Sequence, residues 1–275
     1  MLQNKNAVIY GAGGSLGAAV AKALAAADAR VFLTGRTINS VQKVADEIIA
    51  TGGHAEVALV DAFNETAISD HLQKMVQQAG SVDISFNATA SKVVQNIPLT
   101  SMTVDDFISP LTLMTQTRFL TAIAAGKIMM KQRSGVILSL TATPGGIGYP
   151  YTGGFAPACT AIETLAQNLG SELGVYGVRV VNIRSGGSPD SQVFKEAIEQ
   201  MPHEMGQVLQ KMKADTMLKK MPSMQDIANV AVFLCSDMAA GITGVTVDVT
   251  CGTTAALNYR VDGSRDEREG KVLAS

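Results

Sequence analysis

Short apolar runs rich in β-branched residues alternate along the chain with longer, Ala-rich segments whose apolar positions recur at helical spacing. The runs predict strands over residues 7–10, 30–34, 55–61, 83–87, 135–141, 178–183 and 245–249. Several are continuous, as in Val136-Ile137-Leu138 and Val180-Val181, with no polar residue on alternate positions. A strand with one wet face alternates, whereas one covered on both faces does not, so helices are expected on both sides of a parallel sheet.

Helix starts agree with this register. Asn64 precedes a segment reaching Ala79, Thr103 with Asp106 resembles a capping box, and Ser223 with Asp226 does the same before a helix ending near Cys235. Pro110 is expected to kink or interrupt the long segment from Thr103 to Gln132, because it has no N–H to donate. No internal repeat or linker divides the chain, so residues 1–256 are expected to form a single domain. Residues 260–271 hold eight charges and two glycines, so 257–275 is expected to be a flexible tail or one resting on a neighbouring subunit.

The first strand ends in Gly11-Ala12-Gly13-Gly14-Ser15-Leu16-Gly17 and leads into the helical run Ala18 to Ala27. Glycines at such a turn let the backbone approach a pyrophosphate, while the helix N-terminus offers N–H donors and partial positive charge. The expected architecture is therefore α/β, a Rossmann-type doubly wound parallel sheet of about seven strands. Strand two closes with Leu33-Thr34-Gly35-Arg36-Thr37 and has no carboxylate for the ribose hydroxyls of NAD. Arg36 is placed to pair with a 2′-phosphate, so NADP(H) is the expected cofactor and NAD(H) stays open.

Composition narrows the partners. Of the 275 residues, 47% are hydrophobic and 17% charged, with a net charge of −2, and the basic residues are scattered, which argues against nucleic acid and for a small-molecule substrate. No leader or membrane span is read from the sequence. Three widely spaced cysteines, Cys159, Cys235 and Cys251, give no metal or disulfide pattern, so a reducing cytoplasm without a bound metal is expected.

The glycine turn, Asp61 after strand three, Asn87-Ala88 after strand four and Ile242-Thr243-Gly244 through Asp248 together resemble the short-chain dehydrogenase/reductase family, over roughly residues 6–252. The resemblance implies that Asp61, with Ala62 beside it, meets adenine and that Asn87, Ala88 and Thr89 line the adenosine side. It also implies that Ser185-Gly186, where the family has Pro-Gly, flanks the nicotinamide. Two features, Ser15 in the glycine turn and Phe233-Leu234-Cys235-Ser236-Asp237, are similar to the enoyl-acyl-carrier-protein reductase branch.

The family's catalytic set does not follow. Aligning strand five and the next helix puts Ala142 at its Ser, Phe155 at its Tyr, Cys159 at its Lys and Met114 at its Asn, and no lysine lies between Lys131 and Lys195. A free tyrosine is about one part in a thousand phenolate at neutral pH, and the family's lysine raises that fraction. Phenylalanine transfers no proton, so ordinary carbonyl–alcohol interconversion is not expected. Enoyl reduction asks only for a donor to a developing enolate oxygen. Tyr151, Tyr149 and Thr141 are the local hydroxyl candidates, beside the reading that Gly148-Tyr149-Pro150-Tyr151 is a structural loop.

Between Asp190 and Met224 lie Met201, Met205, Met212, Met217, Met221 and Met224, which suit either a lid over an apolar substrate or helix packing. The helix from Phe155 to Leu173, with few charges, is expected to bury more than one face, in a homotetramer or homodimer. Two functions remain open. One is an NADP(H)-binding oxidoreductase, with ene reduction through an altered donor as its leading form; the other is an inactive dinucleotide-binding homologue with a regulatory or scaffolding role. An isomerase or lyase on the same fold is a third reading.

Overall fold

A computed structural model describes residues 1–255. The tail expected at 257–275 lies outside the described residues. Seven parallel strands form one sheet: β1 Asn6–Tyr10, β2 Arg30–Gly35, β3 His54–Leu59, β4 Ile84–Asn87, β5 Gly135–Ala142, β6 Val178–Ser185 and β7 Val245–Val249. Their order is β3-β2-β1-β4-β5-β6-β7. The direction of winding reverses between β1 and β4, so the carboxyl ends of these two strands open a crevice.

Helices cover both faces, as the continuous apolar strands require. On one side α1 (Ser15–Ala26), α2 (Ile38–Ala50) and α8 (Met224–Cys235) bury Val20, Leu24, Val41, Ile48, Ile227 and Leu234 against the sheet. On the other, α3 (Glu65–Ala79), α4 (Val104–Gln132) and α5 (Phe155–Leu173) bury Ile68, Leu72, Ala125, Met129, Ala166 and Leu169. Full burial of one such Leu or Ile side chain contributes roughly 1.5–3 kcal/mol.

The capping expectations correspond to bonds. Asn64 Oδ1 accepts from Ala67 N at 3.0 Å, Thr103 Oγ1 accepts from Asp106 N at 3.1 Å, and Ser223 with Asp226 forms a reciprocal box. Pro110 does not interrupt α4, which runs unbroken for 29 residues. The ring sits in the second turn, where its missing N–H removes a single ladder bond, and it is buried. After β6 the chain forms α6 (Gln192–Gln200) and α7 (Pro202–Ala214), neither with a buried residue. They lie over the carboxyl edge of the sheet and are tied back by the Gln192 N–H, which donates to Ser15 Oγ at 3.0 Å.

Candidate functional site

A cleft of about 2920 Å³ runs from the glycine turn along the ends of β4, β5 and β6 to α6 and α7. That is room for a dinucleotide and a further ligand, since a drug-sized molecule occupies roughly 300–1,000 Å³.

At one end the glycine turn is built for close backbone approach. Gly11 has a φ of +76°, and a Cβ there would stand 2.9 Å from the backbone of Ala88 and Thr89. A Cβ on Gly17 would strike the Gly11 carbonyl oxygen, so the first turn of α1 lies directly on the strand end. Gly14 is the N-cap of α1 and no side chain caps the helix. The donors of its first turn therefore face the cleft beside Gly13, Gly14, Ser15 and Leu16, an arrangement that fits a pyrophosphate.

The other expected cofactor residues separate into two groups. Gly13 through Gly17, Ala88, Thr89, Ser185 and Gly186 line the cleft. Arg36, Asp61, Ala62 and Asn87 are outside its lining. Arg36 is exposed just beyond β2, and among the described residues it makes no ion pair. Asp61 is exposed and accepts from Phe63 N at 3.1 Å, while Ala62 is buried in the core. The Asn87 side chain is engaged within the protein. Its carboxamide donates to Thr117 O at 3.1 Å and to Thr121 Oγ1 at 2.9 Å and accepts from Thr89 N at 2.9 Å, tying β4 to α4.

At the far end, Met114, Thr141, Ala142, Thr152 and Phe155 meet around the cleft, with Cys159 wholly buried beneath them. Burial pushes the Cys159 thiol up to about 11, so it stays protonated and is no nucleophile at neutral pH. Of the hydroxyl candidates, Tyr149 lines the cleft and is 38% exposed. Tyr151 is 56% exposed, has a φ of +61° and stands outside the lining. Of the two tyrosines, Tyr149 alone is part of the cleft wall.

Thr141 is engaged by residues that sequence reasoning missed. Its hydroxyl donates to Glu163 Oε1 at 2.8 Å and accepts from Asn182 Nδ2 at 2.7 Å. Glu163, on the same stripe of α5 as Phe155 and Cys159, also pairs with Arg184 through both carboxylate oxygens. Arg184 reaches on to Asp248 Oδ2 at 3.0 Å. The hydrogen bond to Glu163, reinforced by its charge, raises the Arg184 pKa further above its usual value. Arg118, on α4 one turn after Met114, is the second missed residue: it is 5% exposed and forms part of the cleft wall. Each of these charges is isolated in sequence. Arg118 is the single charged residue between Asp106 and Lys127, and Glu163 the single one between Arg133 and Glu172.

Of the methionines read as a lid, Met212, Met217, Met221 and Met224 line the cleft, with Phe194 beside them. Met201 and Met205 do not. Among the described residues no cluster of ligating side chains suits a metal, and no helix is long and apolar enough to cross a membrane.

Comparison with known proteins agrees with this geometry. Residues 11–254 match the family model described as Enoyl-(Acyl carrier protein) reductase. The chain belongs to the short-chain dehydrogenase/reductase family. It is 28% identical over 257 residues to 7alpha-hydroxysteroid dehydrogenase of Escherichia coli strain K12, covering 94% of this chain and 97% of that protein. A Caenorhabditis elegans relative named as a probable 2,4-dienoyl-CoA reductase is 26% identical, over 91% of this chain and 81% of its own. The crystal structure of NAD+-bound xylitol dehydrogenase superposes with a TM-score of 0.84 at 23% identity, covering 91% of this chain and 99% of the other. This is the frame of an oxidoreductase of the short-chain dehydrogenase/reductase type.

Proposed function

We propose that the chain is an NADP(H)-dependent reductase of an activated alkene. The observation that carries this reading is the contrast between the two ends of the cleft. The glycine turn and the uncapped α1 have what a dinucleotide needs, while Phe155 and a protonated Cys159 stand where carbonyl reduction needs a proton relay.

The residues that would hold the cofactor are the α1 N-terminus for the pyrophosphate, Arg36 for the 2′-phosphate, and Ser185 and Gly186 for the nicotinamide. NADPH held there would supply a hydride to the β carbon of the alkene. As negative charge gathers on the conjugated carbonyl oxygen, the Tyr149 hydroxyl donates a hydrogen bond to it, and the α carbon then takes a proton from water. Tyr149 has only to remain protonated, so it needs no tuning cation. The methionines over the cleft and Phe194 suit an irregular apolar body on the substrate. The name of the dienoyl-CoA relative and the description of the matching family model support the same class.

A second reading has an observation of its own. Thr141, Glu163 and Arg184 satisfy one another, so the strand end offers no free proton donor, as in a dinucleotide-binding homologue kept for regulation or scaffolding. Anaerobic NADPH consumption against enoyl thioesters, enones and ketones separates the two. Oxidation with alkenes alone supports the reductase; binding without turnover supports the second reading; brisk ketone reduction sinks both.

The outward face of α5 presents Ala156, Pro157, Thr160, Ala161, Thr164 and Leu165 in a shallow apolar groove, and Phe119 of α4 is half exposed. These faces support assembly as a homodimer or homotetramer, which light scattering at micromolar concentration checks. Three free cysteines accord with a reducing cytoplasmic setting.

A further inference from the structure

Arg118 is a buried cation without an anion. Its Nη1 donates to Thr89 Oγ1 at 3.1 Å and to Thr117 Oγ1 at 3.2 Å, both neutral, and its Nε has no partner. Among the described residues no carboxylate pairs with it, because Glu163 is held by Arg184 and Thr141. Burial pulls the guanidinium down to about 10, so it remains charged at neutral pH. An arginine uncompensated to this degree costs stability unless something supplies the missing charge. The small cavity of about 20 Å³ behind it has room for at most one water, which would not.

We propose that Arg118 is the anion receptor of the cleft and takes the carboxylate of an acidic substrate. The proposal rests on the reading of the cleft as a dinucleotide and substrate site. Three features select the ligand. Nη1 is anchored on Thr89 and Thr117 and Nε is buried, so Nη2 remains, and one charged donor suits a carboxylate oxygen. A phosphate dianion calls for more donors than Nη2 provides. Ribose hydroxyls are neutral and leave the charge unbalanced, while the cofactor's phosphates are assigned to the glycine turn and the α1 N-terminus. Arg118 shares the cleft wall with Met114, Thr141 and Ala142, at the end assigned to the substrate. The alkene substrate is therefore one that also carries a free carboxylate.

Crotonate and crotonamide are near-isosteric probes that differ in charge. Titrated calorimetrically into the full-length protein with saturating NADPH, crotonate should bind at least about tenfold more tightly than crotonamide. Arg118→Met should abolish that preference with NADPH affinity within about twofold of the parent, and Arg118→Lys should keep part of it. Because the substitution removes an unpaired buried charge, Arg118→Met should also melt no lower than the parent, whereas a structural arginine would lower the melting temperature. Equal binding of the two probes to the parent protein overturns the proposal, and that comparison needs no variant. A preference that survives in Arg118→Met, or a tenfold loss of NADPH affinity in it, overturns it too. If NADPH does not bind at all, the cofactor reading fails, and the same two probes titrated into the cofactor-free protein decide the role of Arg118 alone.

Discussion

Thr141 Oγ1 donates to Glu163 Oε1 at 2.8 Å, so the last turn of β5 is tied to α5 through a buried carboxylate. The same carboxylate neutralises Arg184 of β6, and one acid thus joins two strands and a helix under the substrate end of the cleft. Removing it leaves Arg184 with the half-exposed Asp248 alone. Glu163→Ala should lower unfolding stability by about 3 kcal/mol, the usual loss when one partner of a buried pair is deleted. Urea unfolding measures it, and a change under about 1 kcal/mol would mean that Asp248 compensates.

The proposed preference for NADP(H) rests on Arg36. With no acidic neighbour after β2 and no ion pair among the described residues, it should make NADPH bind at least about tenfold more tightly than NADH. Arg36→Ala should cost NADPH about 1.5–3 kcal/mol and leave NADH nearly unchanged. Calorimetric titration with each dinucleotide tests both statements, and equal affinities in the parent protein would refute them.

Tyr149 and Tyr151 are two residues apart and only the first lines the cleft. On an alkene substrate, Tyr149→Phe should lower kcat by at least about 10²-fold with little change in NADPH affinity, because the donor acts in the transition state. Tyr151→Phe should leave kcat within about threefold. The reverse result would return the donor to Tyr151.

Restoring the family's pair meets an obstacle at Arg118. Cys159 is fully buried within electrostatic reach of that guanidinium, so Cys159→Lys would set two cations together in a desolvated place. Phe155→Tyr with Cys159→Lys should unfold at a lower temperature than the parent and gain no ketone reductase activity. Adding Arg118→Val should recover part of the lost stability. Simple additivity of the separate changes in a double-mutant cycle would show that the two positions do not interact.

His71 gives a pH dependence. Burial, with the charge of Lys74 adding to it, holds its imidazole below the usual 6.5, and its Nε2 is buried without a partner. The unfolded chain therefore takes up a proton at higher pH than the folded one. The contribution to stability is full above about pH 6.5 and is lost as the pH falls through the folded pKa. Melting temperatures of the parent protein relative to His71→Phe should be level above pH 6.5 and decline below it. A difference that grows on acidification would reverse the sign and reject the argument.

The strands were legible because burial on both faces leaves continuous apolar runs, and every expected strand is present within a few residues. Caps were legible because Asn64, Thr103 and Ser223 bond within three residues of themselves. Pro110 misled because its cost depends on its place in the helix, and near the N-terminal end a single bond is lost. Motif and spacing singled out Asn87 and Tyr151, but the hydrogen bonds of the one and the exposure of the other are visible only in the fold. Arg118 and Glu163 escaped because a charged residue on a helix is usually solvated. Their isolation within long uncharged stretches was the signal, and burial gave it meaning.

The Ser15 hydroxyl belongs to two events at once. It accepts from the first backbone N–H of α6, a residue 177 positions away, and it stands where a pyrophosphate would lie. With no buried residue, α6 and α7 have little apolar area holding them down, so they should open at a free-energy cost well below that of global unfolding. On the proposed reading, departure of the dinucleotide and lifting of α6 and α7 would share an atom, and the slower of the two would set how long a spent cofactor stays bound.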